Sequence, residues 1–292
     1  MDLDLTELLA DWAYTPGQIN VRLIQGQDGA RKVQVRLDLG ILQMNMEGRP
    51  DGLRPHSYPS LLDYHQARID AQLADPAADL PGESDGEDDI DSEIAGGEAE
   101  DTNDDDSDTS DTESGERPIR LSEDECRALR EEAAQYYHRY VALLVLEEFD
   151  AVVRDTTRNL RVLDLCNKHA ANESDRNALE QFRPYIMMMR SRALASQALS
   201  DSEPKAAIAA IDDGLDGLRR YFAEAGEGEH FEESPEVQML RGMREALVPK
   251  LPVSQGAELK ERLKQAVDQE NYELAAILRD ELKMLRDRPT QA

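Results

Sequence analysis

Aromatic residues are scarce in this chain, 5% of its 292 residues with a single tryptophan, and cysteine is scarcer, with two. Cys126 and Cys166 lie far apart, each inside a helical pattern, so they form neither a C-x-x-C pair nor a disulfide framework. The expectation for both is a reduced, partly buried thiol. No apolar run approaches about 18 residues, and the N-terminus lacks a basic-then-apolar leader. A membrane span and a secretory signal are therefore not expected, and the expected location is cytoplasmic. Basic residues are outnumbered 33 to 62, for a formal net charge of −29. Phosphate backbones and anionic membranes repel such a chain on average. Catalytic and ligand motifs are wanting too. There is no G-x-x-x-x-G-K-[ST] phosphate loop, no H-E-x-x-H, no paired C-x-x-C and no EF-hand ligand alternation. The expectation is a non-enzymatic protein without cofactor or metal.

The charge is unevenly placed. Asp75 to Glu116 holds nineteen acidic residues and no basic one; subtracting them from −29 leaves −10 on the remainder. The fold class expected is mainly α with a small N-terminal β-meander, α+β overall, in four regions. Residues 1–73 form the meander and one helix. Apolar residues alternate at Ile19, Val21, Leu23, then Val33, Val35, Leu37, Leu39, then Leu42, Met44, Met46, the period of half-buried strands. Asp28-Gly29 suits the first hairpin turn, and Gly40 a bulge or bend. Leu61, Leu62, Tyr64 and Ile69 have the helical spacing to cover the open sheet face. Residues 74–117 read as a disordered acidic linker, since like charges repel and little there can be buried. Ser107, Ser110 and Ser114 stand in acidic surroundings that suit a phosphate acceptor, but nothing in the sequence requires that role.

Residues 118–252 read as helical throughout. Ser122-x-x-Glu125 is a capping-box start. Helices are expected over the runs beginning at Leu129, Phe149, Ala178, Lys205 and Ser234, the last closed by Pro249 and Pro252. An aromatic-rich helix followed by one with small residues resembles tetratricopeptide-like hairpins. The offset between the two candidate hairpins, about fifty residues, exceeds the roughly thirty-four of that repeat. A plain helical bundle fits as well.

Residues 253–292 form an αα-hairpin. Leu259, Leu263, Ala266 and Val267 fall on one helix face; Asp268–Asn271 breaks the pattern. Asn271 is a good N-cap, and Glu273 suits the positive end of the second helix. Leu274, Leu278, Leu282 and Leu285 form its stripe, with Tyr272 and Ala275 at the margin. So small a unit cannot bury enough apolar surface alone and needs another surface.

The order Glu270-Asn271-Tyr272-Glu273, then Ala275-Ala276, Arg279-Asp280, Leu282 and Leu285 resembles the UVR motif. That motif is shared by UvrB, UvrC and several bacterial protease-regulation proteins. The resemblance covers about a tenth of the chain, residues 254–288. It implies a hairpin that docks on a protein partner, a second UVR-type hairpin among the candidates. Leu259, Leu263, Ala266, Tyr272, Glu273, Ala275, Ala276, Leu278, Leu282 and Leu285 would supply the docking surface, and Arg279 and Asp280 pairing across the hairpin or to the partner. An amphipathic hairpin capping its own domain is the plainer reading of the same stripe.

A second function class rests on the meander. Arg22, Lys32 and Arg36 fall on the polar side of their strands, a basic face able to touch nucleic acid. No aromatic platform is interleaved with them, and polar residues are expected on an exposed sheet face. The five histidines, His56, His65, His138, His169 and His230, are dispersed; His56 and His65 could meet near Asp63. The function expected is a cytoplasmic adaptor joining a repair subunit or a protease-associated protein through its terminal hairpin.

Overall fold

A computed structural model describes residues 5–74, 119–247, 263–268, 277 and 279. The chain divides into two compact units, 1–186 and 187–292. The fold is mostly helical, with one small antiparallel sheet.

In the first unit, a short helix α1 (Thr6–Ala10) precedes strands β1 (Asn20–Gln25), β2 (Arg31–Leu37) and β3 (Gly40–Asn45), in the order β1-β2-β3. The register places Val21 opposite Val35 and Val35 opposite Leu42, and likewise Leu23, Val33 and Met44 in a row. Period two thus assembles one apolar face from three strands, and Val33, Met44 and Met46 on it are buried. Gly29, at φ +76, supplies the left-handed residue in the first turn, as Asp28-Gly29 suggested.

The second turn differs from expectation. Leu37 pairs with Gly40, so Asp38-Leu39 is a two-residue turn and Gly40 opens β3 instead of forming a bulge. Leu39 sits at the tip, 89% exposed. The alternation ends because the turn uses the residues that would have continued it.

Helix α2 (Leu61–Ala74) also packs elsewhere than expected. Leu62 and Ile69 join a core cluster with Leu121, Cys126, Leu129, Ala133, Val162, Leu165 and Cys166. Those residues belong to the approach and body of α3 (Glu123–Val145) and to α4 (Phe149–His169). α3 offers the longer apolar stripe, and it contacts both α2 and β2. The sheet and α2 therefore share one unit with the α3–α4 hairpin. The division between compact units falls after Ile186.

The chain leaves α2 and re-enters beside it. The Gln72 Oε1 accepts a hydrogen bond from the Ile119 amide at 2.9 Å. Leu121 then bridges Ala170 in parallel, its amide donating to the His169 carbonyl at 2.8 Å. The capping box holds as expected: the Glu125 amide donates to Ser122 Oγ at 3.2 Å and the Ser122 amide to Glu125 Oε2 at 2.7 Å. The linker reading of residues 75–117 lies outside the described residues.

A short α5 (Glu173–Asn177) leads to α6 (Arg183–Ser200). The helix expected from Ala178 begins later, with Pro184 as its second residue. A proline has no N–H to donate and is tolerated only in the first turn. The second unit continues with α7 (Pro204–Glu224) and α8 (Pro235–Leu247), and residues 263–268 are helical. Its interior is apolar: Ile211, Leu218, Phe222, Phe231, Val237 and Leu240 are buried. Gly214 lets α6 and α7 approach, since a β-carbon there would meet Ser191 Cβ at 2.6 Å and Leu240 Cδ1 at 3.3 Å. Among the described residues no helix is long and apolar enough to cross a membrane.

Candidate functional site

Two surfaces carry the functional expectations, the polar face of the sheet and the terminal hairpin; a third feature emerges between α3 and α4.

On the sheet, antiparallel pairing puts Arg22 opposite Gln34, with Lys32 and Arg36 two residues to either side, so all three cations share one face. Each is engaged within the chain. Arg22 Nε donates to Gln34 Oε1 at 2.8 Å, and its guanidinium lies 4.1 Å from the centre of the Trp12 ring. Lys32 Nζ donates to Asp28 Oδ2 at 2.7 Å and Asn45 Oδ1 at 2.8 Å. Arg36 is buried: Nε donates to the Trp12 carbonyl at 2.8 Å, and Nη1 to the carbonyls of Leu37, Asp38 and Gly40. The segment following α1 brings Trp12 and Tyr14 against these arginines, and no local pattern in the sequence announced that contact. The open basic face is replaced by a partly covered one whose donors are already bonded.

The α3–α4 interface holds charge where a helix pair usually holds hydrocarbon. Glu132 and Arg139 occupy the stripe of α3 that includes Leu129, Tyr136 and Leu143; Asp155 and Asn159 occupy that of α4 with Val152, Val162 and Cys166. Arg139, 1% exposed, grips Asp155, which is fully buried, with Nε–Oδ2 at 2.7 Å and Nη2–Oδ1 at 2.8 Å. The same guanidinium donates through Nη1 to the carbonyls of Asn45, the last residue of β3, at 2.9 Å and of Gly48, just beyond it, at 2.7 Å. Arg154 adds a bond to Asp155 Oδ1 at 3.0 Å and one to the Met46 carbonyl at 2.9 Å. Glu132 receives Arg158 on Oε1. Its Oε2 accepts the Leu61 amide at 3.0 Å and pairs with Arg49 at 3.3 Å. That carboxylate thereby caps the N-terminus of α2, where the helix dipole favours a negative charge. The Tyr136 ring carries the guanidinium groups of Arg139 and Arg158 at 4.8 Å and 4.0 Å from its centre. Burial pulls the Arg158 guanidinium down to about 9 and pushes the Tyr136 hydroxyl up to about 12. Charged residues at helical stripe positions are the signal in the sequence, and apolar periodicity alone does not show them.

Nearby, His65 is buried in the α2–α3 contact, with Nδ1 3.8 Å from Glu125 Oε1, whose closer partner is Arg68 at 2.6 Å. Burial holds the imidazole down to about 4. His56 stacks on Tyr64 at 4.1 Å and lies near enough to His65 to help lower its pKa. Among the described residues no group of three or more His, Cys, Asp or Glu is placed to hold a metal ion.

Of the hairpin, the described residues give one face of each helix only in part. Ala266 is buried, Leu263 half-buried and Arg279 exposed. Val267, expected on the inner face with Ala266, is 50% exposed, and Ile277 is 59% exposed. Leu259, Tyr272, Glu273, Ala275, Ala276, Leu278, Asp280, Leu282 and Leu285 lie outside the described residues. What decides the region is its pattern: residues 257–288 match the family model described as the UvrB/uvrC motif. The chain carries a UVR motif. UVR motifs occur in UvrB, UvrC and related proteins involved in DNA repair and protein interactions. No curated protein and no solved structure matches the chain.

Proposed function

We propose that this is a non-enzymatic, cytoplasmic adaptor whose UVR hairpin docks on a protein partner, a nucleotide-excision-repair subunit or a component of protease regulation. The UVR motif match over 257–288 carries the reading. Ala266 turned inward with Val267 and Ile277 outward supports it, because a two-helix unit with exposed aliphatic residues gains by burying them on another surface. The nucleic-acid reading of Arg22, Lys32 and Arg36 draws less support. A phosphate would have to displace bonds these cations already make, against a net charge of −29.

The test uses the full chain and a UvrB-type hairpin as the immobilised probe, with wild type compared to Tyr272→Ala/Arg279→Glu. Wild type binds and the double variant is weakened at least about tenfold, the loss of one good contact cluster. Equal retention of both would remove the docking role. Labelled duplex DNA serves as a second probe: salt-sensitive binding lost in Arg22→Ala/Lys32→Ala would favour the sheet instead.

A further inference from the structure

The chain's two cysteines, forty positions apart in sequence, meet in space. Cys126 sits in the first turns of α3 and Cys166 in the last turn of α4; both are free and buried in the same cluster, with Leu121, Leu129, Val162 and Ala170 around them. Each thiol lies close enough to the other to bear on its ionisation. The two helix ends are held together independently of the sulfurs, by the Leu121 amide on the His169 carbonyl at 2.8 Å and the Ala171 amide on the Leu121 carbonyl at 3.0 Å. A buried cysteine ordinarily reads as a small hydrophobe. Here the only two are neighbours across a helix pair whose ends are fixed by main-chain bonds, and that arrangement favours an intrachain bond over any other thiol product.

We propose that Cys126 and Cys166 form a dithiol switch that a low-molecular-weight disulfide closes to an intrachain disulfide, stapling the start of α3 to the end of α4. The chemistry balances in two exchanges. Cys126 loses its proton to solvent, and its thiolate attacks one sulfur of the oxidant. The oxidant's S–S bond breaks, a mixed disulfide forms and one small thiolate leaves. The Cys166 thiolate then attacks the Cys126 sulfur and expels the second small thiol. Two protein thiols are oxidised, and one small disulfide is reduced to two thiols.

The surroundings set the rate and the order of attack. Burial pushes both thiols up, Cys166 to about 12, so neither is a ready thiolate while the core is closed. The neighbouring thiol opposes the rise at Cys126 and adds to it at Cys166, so Cys126 is the first nucleophile. Entry of the oxidant requires local opening of α2 from α3 and α4, because Leu62 and Ile69 cover the same cluster. Closure is accordingly slow in the folded protein. Once made, the bond lies in the core and is shielded from reductant.

The test treats the full-length protein with oxidised glutathione, with and without sub-denaturing urea, and maps its thiols by mass spectrometry. The expected product is a monomer lighter by two hydrogens, with Cys126 joined to Cys166. It forms faster in urea, and its unfolding temperature is higher by about 5 °C or more than that of the dithiothreitol-reduced protein. Cys166→Ala should instead stop at a glutathione adduct on Cys126. Should that variant fail to fold, the wild-type map decides alone. Disulfides between copies, stable glutathione adducts on the wild type, or thiols that stay reduced even in urea would each overturn the proposal.

Discussion

The two compact units bury different things between their helices. In the first, the α3–α4 interface encloses Glu132, Arg139, Asp155, Arg158 and Asn159; in the second, α6, α7 and α8 enclose alanine, isoleucine, leucine and phenylalanine, with ion pairs at the rim. An apolar interior is non-directional and tolerates sliding until its shapes lock. A buried guanidinium is directional: Arg139 reaches Asp155 and two carbonyls at the end of β3 at once, and one geometry satisfies all of them. The charge therefore specifies which surface of α3–α4 the sheet meets, at a desolvation cost that an apolar substitute would avoid.

The largest test of that contrast is Asp155→Ala. It leaves Arg139 buried with carbonyls alone, and a loss of about 3–5 kcal/mol is expected for a broken buried pair. Trp12, the only tryptophan, lies in the first unit, so its fluorescence during urea unfolding reads that unit. Arg139→Met/Asp155→Leu should recover much of the loss while loosening the placement of β3, visible as faster amide exchange at Asn45 and Met46. A loss for Asp155→Ala under about 1 kcal/mol would mean that this charge does not hold the joint.

Acid should separate the units next. His65 has its folded pKa lowered to about 4 from an ordinary 6.5. Below pH 6.5 the unfolded chain takes up a proton that the folded one refuses. His65 therefore costs nothing above 6.5, and stability falls as the pH drops toward 4, by at most about 1.4 kcal/mol per unit. The groups facing it are Glu125, Arg68 and His56. Against the opposing pull of burial, the Ser122 amide and Arg68 hold Glu125 below its ordinary 4.5, so its own contribution is lost only at lower pH. His65→Leu should flatten the Trp12 urea midpoint between pH 6.5 and 4.5. An unchanged slope would assign the acid sensitivity elsewhere.

The apolar unit should break by volume. Gly214→Ala drives a methyl into Ser191 and Leu240, at an expected cost of about 1–3 kcal/mol. Circular dichroism during unfolding should register it while Trp12 does not. Gly214→Ala combined with Ser191→Gly should cost less than the sum of the two single changes, because the methyl takes the space that the Ser191 side chain leaves.

Legibility followed the range of the interaction that decides each element. The strand register could be read because period two puts Val21, Val35 and Leu42 on one face whatever surrounds them. The capping box at Ser122 could be read because it closes within four residues. The UVR motif could be read because its residue types recur at fixed spacing. Arg36 could not be placed, since its burial depends on Trp12, twenty-four positions away and in no regular pattern with it. Nor could the packing of α2 on α3, which joins residues on either side of the acidic stretch. Glu132 and Asp155 were legible in principle as charges in an apolar stripe.

The smallest effect is expected at the rim of the second unit. Arg244 and Asp212 pair at 2.6 Å, yet both side chains are more than two-fifths exposed. Water solvates the separated ions nearly as well as they solvate each other, salt screens what remains, and two long side chains lose freedom to hold one geometry. Asp212→Ala should leave the unfolding midpoint within replicate scatter at physiological salt, with any difference shrinking further as salt is raised. A loss as large as that of Asp155→Ala would erase the distinction between buried and rim charge on which the contrast rests.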